Sequence, residues 1–363
     1  MLSPSAPVVL LQHGGLRGVF GKTGLAMLRY RPGPIVAVVD PDHAGADLFE
    51  LTGIPRPVPV VASLKEALRW EPHVAVIGLA PSGGRIPALV RQDVEAALAA
   101  GLSLANGLHT PLAQDPQLRS LLQPNCWIWD LRREPHHLRV GAARAASSPA
   151  RRVLFVGTDM AVGKMSAALE LQRAGVKQGL AMAFVATGQA GILISGGGIA
   201  LDAVRVDYAA GAVEAALLDA SARADWVLVE GQGSLLHPGS TATLPLLRGS
   251  QPTDLVLVHR AGQQHLRTMS ADAPPIPIPP LQEVVKLYEA VAAVACPAPS
   301  PPCRLRAIGL NTGHLDHEEA QAAITKTQDE TGLFCDDPVR FGGSRLLAQL
   351  EAMAPSLAAP ARL

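Results

Sequence analysis

The chain has 363 residues, and its 31 Lys plus Arg balance its 31 Asp plus Glu. Zero formal charge argues against nucleic acid as the main partner, because phosphate backbones are bound through a basic excess. Apolar residues make up 48% and charged residues 17%, which excludes a disordered chain and leaves room for two domains with sizeable cores.

Short apolar runs alternate with longer Ala- and Leu-rich helical stretches, the order of an α/β chain with parallel sheets. In the first half the predicted strands are Val8–Gln12, Ile35–Asp40, Val74–Leu79, Leu102–Asn106 and Trp127–Leu131. Helical patterns are clearest at Leu64–Trp70 and Ile86–Ala100. This half, 1–139, reads as a Rossmann-like domain. Gly15 to Thr23 formally fits GxxxxxGK[ST] after the first strand, but the plainer reading is a strand–turn–helix entry. Asp40 ends the second strand, where a Rossmann acid reads ribose. Ser82, Gly83, Gly84 and Arg85 lie between a strand and a helix and form a candidate substrate anion site. Asn106 to His109 follows the next strand, which adds His109 to the substrate candidates.

Residues 140–150 are rich in small side chains and predict a linker. A second α/β domain, 151–363, follows. Its predicted strands are Val153–Val156, Met182–Ala186, Trp226–Val229, Leu255–Val258 and Leu305–Gly309, with a helix from Lys164 to about Gln178. The Pro-rich stretches 273–280 and 296–303 read as rigid loops.

The strongest chemical signal is RRVLFVGTDMAVGKMSAALEL. A strand runs into Gly157, Thr158 and Asp159, and after Val162, Gly163 and Lys164 a helix begins. Glycines let backbone N–H groups converge on phosphate, the helix N-terminus adds its dipole and the lysine neutralises charge. Met165 stands where Ser or Thr usually holds Mg²⁺, with Ser166 one step later. Gln189 lies in TGQAG after the second strand, another ligand-facing strand end. Glu230 closes an apolar strand and precedes Gly231 and Gly233, placed to meet a cation, a water or an amine. Asp207 reads as a helix-start acid. His237, His259, Arg260, Gln263 and His265 supply acid, base or anion contacts. Asn311 follows the strand Leu305–Gly309, a loop that reads the base in P-loop folds.

GTDMAVGK, TGQAG and VLVEGQG resemble the dethiobiotin-synthetase-like branch of P-loop proteins. The longer set AVVDPDHAGADLFELTG, VIGLAPSGGRIP, NGLHTPLAQDP, GTDMAVGKMSAALEL, ATGQAGILISGGGIALDAV, IGLNTGHLDHEEAQAAI and DPVRFGG resembles the DgcN-like family over roughly 17–350. That resemblance implies a Rossmann-like domain followed by a P-loop-type domain, and acetyl transfer from acetyl-CoA to the amine of D-glutamate. Lys-Met-Ser after the loop glycine agrees with it. Ala190 and Gln263 depart from it, where Thr and Arg are expected. The missing guanidinium alters anion recognition unless Arg260 or Arg267 substitutes.

The leading expectation is an N-acetyltransferase. Its phosphate loop (157–159, 162–166, with Gln189 and Asn311) holds CoA, Glu230 or His259 is the base, and the glycine loops 188–191 or 231–233 stabilise the oxyanion. Under the alternative, an ATP-dependent kinase or ligase, Ser166, Asp159 and Glu230 would hold Mg²⁺. A non-catalytic nucleotide-binding regulator is the third class. No run reaches the ~18 apolar residues of a membrane span, and MLSPSAPVVLLQHGG lacks a signal-peptide pattern. Cys126, Cys296, Cys303 and Cys335 form no CxxC, which predicts buried reduced thiols. A cytoplasmic chain is expected, with a small-molecule substrate and further copies of itself as partners, and neither nucleic acid nor membrane.

Overall fold

The computed structural model describes residues 2–81, 84, 86–267, 272–294, 296–297 and 302–353. The chain divides into two compact units, Met1–Glu134 with Gly188–Ala203, and Pro135–Thr187 with Val204–Leu363. Among the described residues each unit carries one six-stranded parallel sheet, the expected α/β architecture. No described helix is long and apolar enough to cross a membrane.

The first sheet is built from β1 (Val8–Leu11), β2 (Ile35–Val39), β3 (Val60–Val61), β4 (Val74–Ile77), β5 (Ser103–Asn106) and β6 (Ile128–Asp130), in the order β3-β2-β1-β4-β5-β6. Runs such as VVLL and VAVI are buried along their whole length, as strands covered on both faces must be. The order reverses direction between β1 and β4, the Rossmann switch point. The helix Ala88–Ala99 starts two residues after the expected Ile86 because Pro87 is its N-cap. The stretch 64–70 divides into an α-helix, Leu64–Ala67, and a 3₁₀ turn, Leu68–Trp70.

Segment 188–203 belongs to this unit although it follows strands of the second. Buried Arg31 donates to Leu193 O at 3.2 Å, and Arg132 pairs with Asp202.

The second sheet is built from β7 (Arg151–Gly157), β8 (Met182–Val185), β9 (Trp226–Val229), β10 (Asp254–Arg260), β11 (Arg304–Asn311) and β12 (Phe334–Asp336), ordered β12-β11-β10-β7-β9-β8. β10 starts one residue before its apolar run, at Asp254, which is fully buried and accepts from Arg151 at 2.8 and 3.0 Å and from Arg306 at 2.9 Å. The helix Lys164–Lys177 packs Ala167, Ala168 and Leu171 onto Val153, Phe155 and Val256.

Residues 140–150, expected as a linker, lie in this unit. Buried Glu214, on the helix Val206–Ser221, accepts from Ala142 N at 3.1 Å and from Arg144 N and Nε at 2.7 Å each. Of the proline-rich stretches, 273–280 is tied to 264–266 by Leu266 N→Ile276 O at 2.9 Å and Ile278 N→Gln264 O at 2.8 Å. Cys303 and Cys335 are buried, while Cys126 and Cys296 are only half-buried. Burial pushes the Cys335 thiol up to about 12, so it is inert at neutral pH.

Candidate functional site

The parallel strands β7, β9, β10 and β11 all end on one edge, and the phosphate loop leaves that edge from β7. Gly157 pairs with Val258 and Arg260 with Asn311 across the sheet. The loop turns through Ala161 at φ +55° and Gly163 at φ +113°. A left-handed alanine is costly and persists where the surroundings over-determine it. The N–H groups of Ala161, Val162, Gly163, Lys164, Met165 and Ser166 find no acceptor among the described residues. They sit at the positive end of a 14-residue helix, which makes an anion cradle.

Lys164 is folded back into this cradle, 6% exposed, with Nζ donating to Asp159 O at 2.8 Å. Burial pushes its ammonium down to about 8, against the pull of Asp159 and Glu230. Gly231 makes the fit possible. A Cβ there would stand 1.6 Å from Phe155 O and 2.8 Å from Lys164 Cδ. Met165 and Ser166 follow, half-buried in the first helical turn.

Neighbouring loops fix each residue of the strand exit. Tyr288 Oη donates to Gly157 O at 2.7 Å and accepts from Leu235 N at 3.1 Å. Ser234 Oγ donates to Thr158 O at 3.0 Å. Thr158 Oγ1 lies 2.9 Å from His259 Nδ1. Asn311 Nδ2 donates to Val162 O at 2.9 Å, and its Oδ1 accepts from Gly313 N at 3.1 Å. Its amide is thus a buttress of the loop rather than an open base reader.

Asp159 also differs from its expected role. The side chain is fully buried. Oδ1 accepts from Met160 N at 2.6 Å, and Oδ2 from Gln263 Nε2 at 2.7 Å and Arg267 N at 2.8 Å. Three donors and full burial commit the carboxylate to holding the loop together.

Glu230 follows β9 and is 4% exposed. Its Oε2 accepts from Thr187 N at 2.8 Å, and Thr187 Oγ1 returns a bond to Glu230 O at 2.8 Å. Its charge reaches Lys164, so the phosphate loop and the strand-end acid lie together. His259 is buried, and desolvation pushes its imidazole down to about 4, so it is neutral at physiological pH. His237 is structural: Nδ1 accepts from Gly239 N at 3.0 Å, and Nε2 lies 2.9 Å from Arg267 O. Asp207 sits in the first turn of Val206–Ser221, the helix-start position.

Gln189 belongs to the first unit, not to the unit of the phosphate loop. A Cβ on Gly107 would meet Gln189 Oε1 at 2.9 Å. His109 is there too, packed where a Gly84 side chain would be. Desolvation and the nearby Arg132 hold its imidazole below the usual range. Ser82, Gly83 and Arg85 lie outside the described residues. The sequence reading missed Tyr288 and Ser234; a tyrosine buried in an otherwise ordinary amphipathic helix gave no local sign of its partner.

Residues 139–347 match a family described as a domain of unknown function, the DUF1611_C P-loop domain, and residues 41–134 match the DUF1611_N Rossmann-like domain. A curated relative from Tritonibacter scottomollicae, named D-glutamate N-acetyltransferase, is 34% identical over 340 residues, 92% of this chain and 94% of its own. A second of that name, from a Pseudoalteromonas species, is 33% identical over 290 residues, covering 79% and 84%. The crystal structure of a DUF1611 family protein from Anabaena variabilis is 53% identical, with a TM-score of 0.90 over 96% of this chain and 100% of that one.

Proposed function

The chain belongs to the DUF1611 family and is an enzyme, and from that premise we propose that it moves an acetyl group from acetyl-CoA to the amine of D-glutamate or a similar acidic amino acid. The observation that carries this reading is the activity named for two relatives that match most of the chain. The second unit supports it with a site suited to the donor. CoA carries a pyrophosphate, and six unpaired N–H groups with Lys164 suit such an anion. Met165 in place of the Mg²⁺-holding hydroxyl suits a phosphate that is held rather than hydrolysed.

In the reaction the acceptor nitrogen attacks the thioester carbonyl carbon. A C–N bond forms, the C–S bond breaks and CoA leaves as a thiolate. The acceptor ammonium must lose one proton before attack and a second as the adduct collapses. Glu230 is the first choice to take the earlier proton, and the departing thiolate accounts for the later one. His259 is the second choice, because it is a base only in the tautomer whose Nδ1–H donates to Thr158. The developing oxyanion needs aimed N–H donors, and the turn Gly231–Gly233, whose Gly231 packs on Lys164, is the first choice to give them.

Purified protein given acetyl-CoA and D-glutamate, with no Mg²⁺ or ATP, should release one thiol per N-acetyl product, read by a thiol reagent and mass spectrometry. Absence of thiol release with both enantiomers of glutamate and aspartate would overturn the reading. Mg²⁺-dependent ATP turnover in that case would favour a kinase or ligase.

A further inference from the structure

Arg260 closes β10, half-buried at the edge that carries the phosphate loop. The other described arginines that are buried or half-buried hold a carbonyl or a carboxylate, as Arg152 and Arg340 do. Among the described residues the Arg260 guanidinium holds neither. A half-buried guanidinium that no described residue engages keeps its donors for an incoming oxyanion.

Its placement follows from strand register. Arg260 pairs with Asn311 in β10–β11, and paired residues of neighbouring strands present their side chains to the same face. Asn311 reaches Val162 in the phosphate loop at 2.9 Å, so Arg260 is on the loop's face of the sheet. Asp159, the acid at the matching position beyond β7, is already engaged by Met160, Gln263 and Arg267. Gln263 meets that acid with an uncharged amide and leaves the arginine charge to an incoming group.

We infer that Arg260 is an oxyanion receptor of this site, taking a carboxylate or phosphate in its planar fork. The inference rests on the acetyltransferase reading only for which oxyanion this is: the side-chain carboxylate of the acceptor or a phosphate of the donor.

Calorimetry with D-glutamate, acetyl-CoA and inorganic pyrophosphate would compare the parent with Arg260→Gln and Arg260→Lys, with thermal melts to check folding. Arg260→Gln should weaken one class of probe about 10–150-fold. Arg260→Lys, which keeps the charge and loses the fork, should fall between, and it carries the comparison if the Gln variant does not fold. Weakening confined to D-glutamate, with a matching rise in acceptor KM and an acetyl-CoA KM within about threefold of the parent, assigns the acceptor carboxylate. Weakening of acetyl-CoA and pyrophosphate alone assigns the donor phosphate. Affinities all within about threefold of the parent, or a parent that binds none of the probes, overturn the inference. A parent that binds them and forms no N-acetyl product refutes the acetyltransferase reading instead, and the binding comparison still decides the role of Arg260.

Discussion

The carboxylate of Asp40 accepts the amide of Gly14 at 2.7 Å. Its other oxygen takes Leu16 N at 3.2 Å and faces His43 Nδ1 at 3.2 Å. Asp40 follows β2, where a Rossmann acid would read a ribose. Here it is fully buried and committed to the loop after β1. Two amides at the start of this first glycine loop, those of Gly14 and Leu16, are therefore turned inward onto the protein's own anion.

Asp40→Ala should then destabilise the first unit by ~1–3 kcal/mol, the cost of leaving buried donors unmet, as read by chemical denaturation. Acetyl-CoA affinity should not change, and calorimetry should count one acetyl-CoA per chain. A count of two would return the Gly15–Thr23 loop to the set of phosphate sites.

The contrast between the two glycine loops shows which links were legible. Strand–loop–helix order, glycine spacing and the lysine are local features, and β7 and its loop fall where the motif places them. β3 and β12, with sequences VV and FCD, are too short for an apolar run to register. The direction of a side chain is set by distant partners. Tyr288 lies 131 residues beyond Gly157, and no spacing rule connects them. Asp159 was visible as a loop acid, but the donors that turn it inward come from Gln263 and Arg267, more than a hundred residues on.

Lys164→Ala should weaken acetyl-CoA binding about 10–150-fold, one charge-assisted phosphate contact at ~1.5–3 kcal/mol. The parent should show a pH dependence of the same origin. The Lys164 ammonium is pushed down to about 8 from its ordinary 10.5, so the cradle loses its charge as pH rises through that region and affinity should fall. Apo stability moves the other way. Between about 8 and 10.5 the unfolded chain binds more protons at this lysine, so the fold gains stability with rising pH. Calorimetry and denaturant midpoints from pH 7 to 10 would test both signs; a pH-independent affinity would remove Lys164 from the contact.

Glu230→Gln keeps an oxygen for Thr187 N, so the fold and acetyl-CoA binding should survive. Turnover should fall ~10²–10⁴-fold, the usual contribution of a positioned base. Activity should partly return at high pH, where more acceptor amine is already deprotonated. Turnover within about threefold of the parent would pass the role to His259.

Tyr288→Phe separates the support of the phosphate loop from its chemistry. The phenyl ring keeps the buried volume, so no cavity term enters. What is lost is a single hydroxyl that donates to Gly157 O at 2.7 Å and accepts from Leu235 N at 3.1 Å. Both backbone groups lose their partner, at ~1–3 kcal/mol in the melt or denaturant midpoint. Because Gly157 is the last residue of β7 and Leu235 belongs to the turn after Glu230, the hydroxyl ties the two walls of the cradle to one helix. Loosening that tie should also raise the dissociation constant for acetyl-CoA, by less than the loss of Lys164 does, since no charge is removed and the cradle N–H groups remain. Lost stability with unchanged acetyl-CoA affinity would assign Tyr288 to the fold alone, and the cradle's geometry would then rest on Ser234, His259 and Asn311.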